Sequence, residues 1–260
     1  MENHDLSVIF RLSFGNAIII VFLEYATNMV GYILINIVFY HRQSKVPESL
    51  LFILELCSCW ITLLIIRCWS KQSWIDLIAP RRVNKIIWCP TLVSIAGIYF
   101  LAGFVATYAL YFLPMPAWVA DAFREPGWLA AIFGAPLVEE IIFRSVILGG
   151  FLCQYSQNKA ILLSPCLFTF VHLNPWQLFP AFFFGIFAGW VFSETRSIWP
   201  VLVMHIIHNG ACHAEGYFAI YPFGSGHKPP PCWTLVLGMV LLSTGARFLN
   251  PQNRVPFRKG

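Results

Sequence analysis

Charge is what this chain has least of. Only 11% of its 260 residues are Asp, Glu, Lys or Arg, against about 25% in an ordinary soluble domain. With 58% hydrophobic residues and a mean hydropathy of +0.69, the composition excludes a soluble enzyme and points to a polytopic membrane protein. It also excludes nucleic acid as a partner. The net charge of +5 is dispersed over short loops, so no basic face is available to meet a phosphate backbone. Asp5, Asp76 and Asp121 are the only aspartates and all lie outside the apolar runs, which removes an aspartyl dyad within the membrane. No H-E-x-x-H occurs, so the usual helical zinc-protease motif is missing. No C-x-x-C occurs among the eight cysteines. They are expected to be small buried hydrophobes, not a disulfide or metal framework. The first apolar run is too long for a cleavable signal peptide and no small-residue cleavage site follows it. No repeat or low-complexity tail divides the chain, and residues 1–260 are read as a single integral membrane domain.

What remains is apolar sequence of near-spanning length. Eight runs can be marked: 14–40, 50–69, 86–113, 128–152, 160–173, 178–192, 198–212 and 232–249. Aromatic residues, 17% of the chain, suit lipid-facing and interfacial surface. The fold class is therefore all-α: a polytopic bundle of about eight transmembrane helices. Runs five to seven are short for independent spans and are expected to sit inside the bundle. Pro114 and Pro116 end the third run, Pro126-Gly127 opens the fourth, Asn174-Pro175 follows the fifth, and the proline-rich stretch 221–231 is expected to be a loop. An even number of spans puts both termini on one side. Twelve of the Lys and Arg residues fall on that side, and four (Arg42, Lys45, Arg124, Lys228) on the other. By the positive-inside rule both termini are cytoplasmic. The compact loops suggest a bacterial inner membrane.

Against this background the fourth run is anomalous, because it carries Glu139, Glu140 and Arg144. Each such charge costs roughly 2.5–3.5 kcal/mol at mid-membrane on insertion scales. On a helix Glu140 and Arg144 form an i,i+4 pair with the acid N-terminal, the better orientation. Glu139 lies about 100° round the helix and is left without that partner. Pro136, lacking an N–H, is expected to loosen the helix beside it. Glu24 and Glu55 are read as structural or gating groups facing the bundle interior, with Glu24 satisfied by Asn28.

Two further runs carry polar side chains. In the fifth, Phe168 and His172 stand at i,i+4; in the seventh, His205 and Asn209 do the same, with His208 to one side. Any one membrane histidine is more often a satisfied bundle residue than a catalyst. Three helices offering Glu, His, and His with Asn make a combination suited to hydrolysis. A carboxylate takes a proton from water, a histidine helps hold that water, and His and Asn donors stabilise an oxyanion.

These residues resemble the CPBP family (CAAX-protease and bacteriocin-processing, or Abi) of intramembrane proteases. The family pattern is E-E-x-x-x-R, then F-x-x-x-H, then H-x-x-x-N/D on three core helices. Here it reads Glu139-Glu140-Ile141-Ile142-Phe143-Arg144, Phe168-Thr169-Phe170-Val171-His172 and His205-Ile206-Ile207-His208-Asn209. The resemblance covers about residues 128–213. It implies an eight-helix bundle with an intramembrane catalytic cavity and a peptidase activity. Carried over, Glu139 is the general base, His172 holds the attacking water with it, and His205 and Asn209 bind the water or the oxyanion. Glu140 and Arg144 form the supporting ion pair, and His208 is structural. Members have been described both as zinc and as metal-free glutamic proteases. The metal-free form is favoured, since Asn is a poor zinc ligand and a good oxyanion donor; the zinc alternative would use Glu139, His172 and His205. The implied partners are the lipid bilayer and a peptide or protein substrate, such as a lipidated or sorting-tagged precursor. Two other classes compete: an inactive peptide-binding or bacteriocin-immunity protein, and an ion-coupled transporter. The first would be free to lose Glu139 or His205, and neither is lost. The second lacks inverted repeats and paired broken helices.

Overall fold

Every apolar run becomes a helix. The computed structural model describes residues 11–41, 46–116, 127–172, 175–218 and 229–249, and among these all regular structure is helical. The helices are α1 (Phe14–His41), α2 (Glu48–Ser70), the short α3 (Trp74–Ile78), α4 (Trp88–Phe112), α5 (residues 130–154), α6 (Gln157–Phe170), α7 (Pro175–Thr195), α8 (Ile198–Phe218) and α9 (Cys232–Leu249). A 3-10 turn, Lys85–Ile87, leads into α4. Most of the stretch 221–231, and the four Lys and Arg residues on the side away from the termini, lie outside the described residues.

Among the described residues, five helices are long and apolar enough to cross a membrane: α1, α2, α4 with its lead-in, α7 and α9. Three other helices, α5, α6 and α8, carry the polar motifs. Two expectations about length change. The apolar run at 178–192 belongs to a 21-residue helix, α7, and the run at 198–212 to a 21-residue helix, α8. Polar residues and prolines near their ends interrupted hydropathy without interrupting the helix, and Pro180 sits inside α7. Helix α6 is short as expected. Its 14 residues reach roughly 21 Å at 1.5 Å per residue, less than the hydrocarbon thickness of about 30 Å.

Helix α5 is the centre of the bundle, in contact with α2, α3, α6, α7 and α8. It is also irregular. Segments Ala130–Gly134 and Glu140–Leu148 have π-helical hydrogen bonding; Ala135–Glu139 and Gly149–Gln154 are α-helical. Neighbouring helices satisfy carbonyls near these transitions, as tolerated backbone irregularity in a bilayer requires. Ser164 Oγ donates to Phe143 O at 3.0 Å. In the other direction, Ser145 Oγ donates to Ile78 O at 2.8 Å and ties α5 to the end of α3.

The most extensive helix pairing lies elsewhere, between α4 and α9. Small residues let these backbones approach, the usual basis of helix association in lipid. A Cβ added at Gly245 would meet Ser94 Oγ and Pro90 O, and one at Gly97 would meet the Leu242 backbone. Gly245→Ala is therefore expected to cost about 1–3 kcal/mol by overpacking. Thermal unfolding in detergent checks this, with Gly15→Ala as control because nothing lies within 4 Å of its added Cβ.

The cysteines correct another expectation. All eight are free, but only Cys59 is buried; Cys57, Cys68, Cys89, Cys166, Cys212 and Cys232 are exposed on the bundle surface. In a membrane chain that surface includes lipid contact, where a weakly polar thiol is at little cost.

Candidate active site

The charge cluster on α5 divides between two environments. Glu140 and Arg144 are 0% and 1% exposed, and Glu140 Oε1 lies 3.1 Å from Arg144 Nη1, confirming the i,i+4 pair. The guanidinium also stacks over Phe168 of α6, 4.4 Å from its centroid, and faces Phe184 of α7 at 5.7 Å. Such cation–π contacts strengthen when desolvated. The pair therefore joins α5 to two neighbouring helices.

Glu140 has a second partner that sequence reasoning did not assign. His205 Nδ1 donates to Glu140 Oε1 at 2.7 Å. A carboxylate only accepts, so this bond places a proton on Nδ1 and turns the other ring nitrogen, Nε2, away from Glu140. That Nε2 faces Glu139 Oε2 at 3.6 Å. The buried Glu140–Arg144 pair thus orients His205, and His205 presents its other nitrogen to Glu139. Phe184 packs on the same imidazole at 4.7 Å.

Glu139 is 22% exposed and lines a cavity of about 170 Å³ together with Glu24, Tyr25, Asn28 and Glu55. This volume has room for several waters. Glu24 is held differently from the expectation: its Oε1 accepts from Ser58 Oγ of α2 at 2.8 Å, and Asn28 Nδ2 donates to Ser58 at 3.3 Å, not to Glu24. The bridging serine lies on another helix, so spacing along α1 gave no sign of it. Glu24 and Glu55 line the same cavity as Glu139.

His172 stands near the end of α6, where its Nδ1 donates to Phe168 O at 2.7 Å. This leaves Nε2 as the free nitrogen there. No hydrogen bond or ion pair joins His172 to Glu139 or His205 among the described residues. The Phe168 ring contacts both imidazoles, at 4.7 Å from His172 and 6.1 Å from His205.

Asn209 has a backbone partner with a clear cause. Its Nδ2 donates to Ala131 O at 2.9 Å. In π geometry the Ala135 N–H reaches back to Ala130 O, so it is not available to Ala131. The next residue in register is Pro136, which has no N–H. Asn209 supplies the missing donor and fastens α8 to α5 two turns before Glu139. An amide carries two donor hydrogens, so one remains. Asn209→Ala is expected to cost about 1 kcal/mol, the usual net worth of one hydrogen bond, because the carbonyl it leaves is only half-buried. In a Pro136→Ala background, which restores an N–H, the loss should be smaller. A double-mutant cycle on thermal stability measures the coupling; equal losses in both backgrounds would exclude this origin of the bond. His208 stacks on Phe184 at 5.4 Å and lies 3.8 Å from Cys212 Sγ, consistent with a packing role.

The zinc alternative can be set against this geometry. Among the described residues no three His, Cys, Asp or Glu side chains converge to hold a metal ion. Glu139 and His205 approach each other; His172 does not complete the set.

The comparisons with known proteins concern this same part of the chain. Residues 123–211 match the model of a family described as type II CAAX prenyl endopeptidase Rce1-like. The chain is also 28% identical over 153 residues to CAAX prenyl protease 2 of Arabidopsis thaliana, a match covering 51% of this chain and 48% of that protein. The chain thus aligns with about half the length of this curated relative. No solved structure matches. The family match spans α5 to α8, the helices that bring Glu139, Glu140, Arg144, His172, His205 and Asn209 into the bundle.

Proposed function

Because residues 123–211 match the model of the type II CAAX prenyl endopeptidase Rce1-like family, we propose that this chain is an intramembrane endopeptidase. Its reaction is hydrolysis by water that Glu139 activates. The observation that carries the reading is the placement of Glu139. One carboxylate oxygen faces His205 Nε2 at 3.6 Å, and the side chain lines a cavity large enough for water.

Glu139 removes a proton from a water as its oxygen attacks the scissile carbonyl. His172, oriented by the Phe168 carbonyl, accepts the water's second hydrogen, and His205, oriented by Glu140, stands beside Glu139 Oε2. The tetrahedral oxyanion takes the second N–H of Asn209. Glu139 then returns its proton to the leaving amine as the C–N bond breaks, with no covalent intermediate. The route we propose is metal-free, because an amide in the fourth position is a poor zinc ligand.

The substrate is a peptide at the membrane, of the lipidated C-terminal kind that the relative's name describes. The chain is a multi-pass membrane protein with both termini in the cytoplasm. The test is comparison of released and membrane-retained C-terminal fragments in cells carrying wild type or Glu139→Gln. Fragments present only with the wild type identify the substrate. Identical fragment sets despite equal expression would refute the peptidase.

A further inference from the structure

Beyond Glu139, towards its C-terminal end, α5 borders a second and larger cavity of about 590 Å³. Three guanidinium groups from separate segments line it: Arg11 before α1, Arg81 after α3, and Arg196 between α7 and α8. One acid, Asp76, opposes them, 3.9 Å from Arg81 and hydrogen-bonded by Ser73 Oγ at 2.6 Å. Leu77, Val146 and Phe192 supply apolar walls. The α5 residues here, Ser145 to Cys153, lie roughly 10–20 Å along the helix from Glu139, so this cavity is separate from the catalytic one. Helix α1 begins here and α5 and α7 end here, which places it at a face of the bundle where spanning helices leave the bilayer.

The backbone of this rim is unusual. Ala79 and Arg196 have φ of 50° and 49°, the left-handed region that glycine normally fills after a helix. Neither is glycine, and hydrogen bonds hold both in place. The Arg196 N–H donates to Phe192 O at 2.7 Å, and the Ile198 N–H to Ala79 O at 3.0 Å. Ser197 Oγ donates to Arg81 O at 2.5 Å. These bonds join the segment after α3 to the turn between α7 and α8, so Arg81 and Arg196 share one rim. Over-determined non-glycine residues of this kind concentrate at ligand sites.

We propose that this cavity binds a phosphate-bearing anion, which in the bilayer is the headgroup of an anionic phospholipid. Guanidinium groups match phosphate oxygens in a bidentate manner, and basic pockets between transmembrane helices take anionic headgroups. The net charge of the lining is positive, and its apolar walls suit the glycerol and upper acyl region. The bound anion braces the start of α1 against the ends of α5 and α7. This inference does not depend on the peptidase reading, and its test involves no cleavage.

Thermal unfolding of the full chain in neutral detergent provides that test, with added dioctanoyl phosphatidylglycerol, dioctanoyl phosphatidylcholine or inorganic phosphate. The glycerol lipid should raise Tm by several degrees and the choline lipid should not. The Arg11→Gln/Arg196→Gln double variant should lose at least half of the rise; if it does not fold, Arg11→Gln alone must show a reduced rise. An equal rise with inorganic phosphate keeps the site and identifies a soluble anion as its ligand. No rise with either anion, or a full rise in the variants, overturns the proposal.

Discussion

Arg144→Ala is expected to cost the fold about 3–5 kcal/mol, the usual result of removing one partner from a buried ion pair. Glu140 is 0% exposed and its partner 1%, so the carboxylate, left with His205 alone, has no water to turn to. Domains have only about 5–15 kcal/mol in total, and the variant should unfold at markedly lower temperature in detergent. Arg144→Lys should recover only part of the loss. An ammonium can face Glu140 but cannot stack as a plane over Phe168 and towards Phe184. Replacing both partners, Glu140→Leu with Arg144→Met, should restore much of the stability because no charge is left unpaired. It should not restore activity, since His205 Nδ1 then loses the acceptor that orients it. Stability and turnover measured on the same three variants separate these effects.

Glu139→Gln has the opposite signature. Glu139 is outside the buried ion pair and lines a cavity that already holds Glu24 and Glu55. Removing its charge reduces like-charge crowding, so stability should be unchanged or slightly raised. Turnover should fall by about 10²–10⁴-fold, the contribution typical of a positioned general base. Glu140→Gln, one residue away, should lose stability and activity together. Two adjacent acids of the same type are thus expected to fail in different ways. The difference arises from which side of α5 each one faces.

That division was partly legible in the sequence. Spacing alone paired Glu140 with Arg144 and left Glu139 over, because i,i+4 geometry is local to one helix. The hydrogen bond from His205 to Glu140 was not legible, since it depends on how α8 crosses α5. The same holds for Ser58 bridging α1 and α2 at Glu24. Pro136 signalled an irregular helix, but not that the π segments would leave Ala131 O for Asn209 to satisfy. The eight runs located the long helices, while hydropathy misjudged the lengths of α7 and α8 where polar residues continue a helix. Cysteine burial was misjudged for a related reason: a membrane protein has an apolar outside as well as an apolar inside.

The most direct measurement reconstitutes purified wild type and Glu139→Gln in liposomes and follows cleavage of a prenylated C-terminal peptide, with Tm recorded for both. The wild type should cleave it, and Glu139→Gln should be at least about a hundredfold slower with an undiminished Tm. Equal turnover by the two proteins would contradict the assignment of Glu139 as the base.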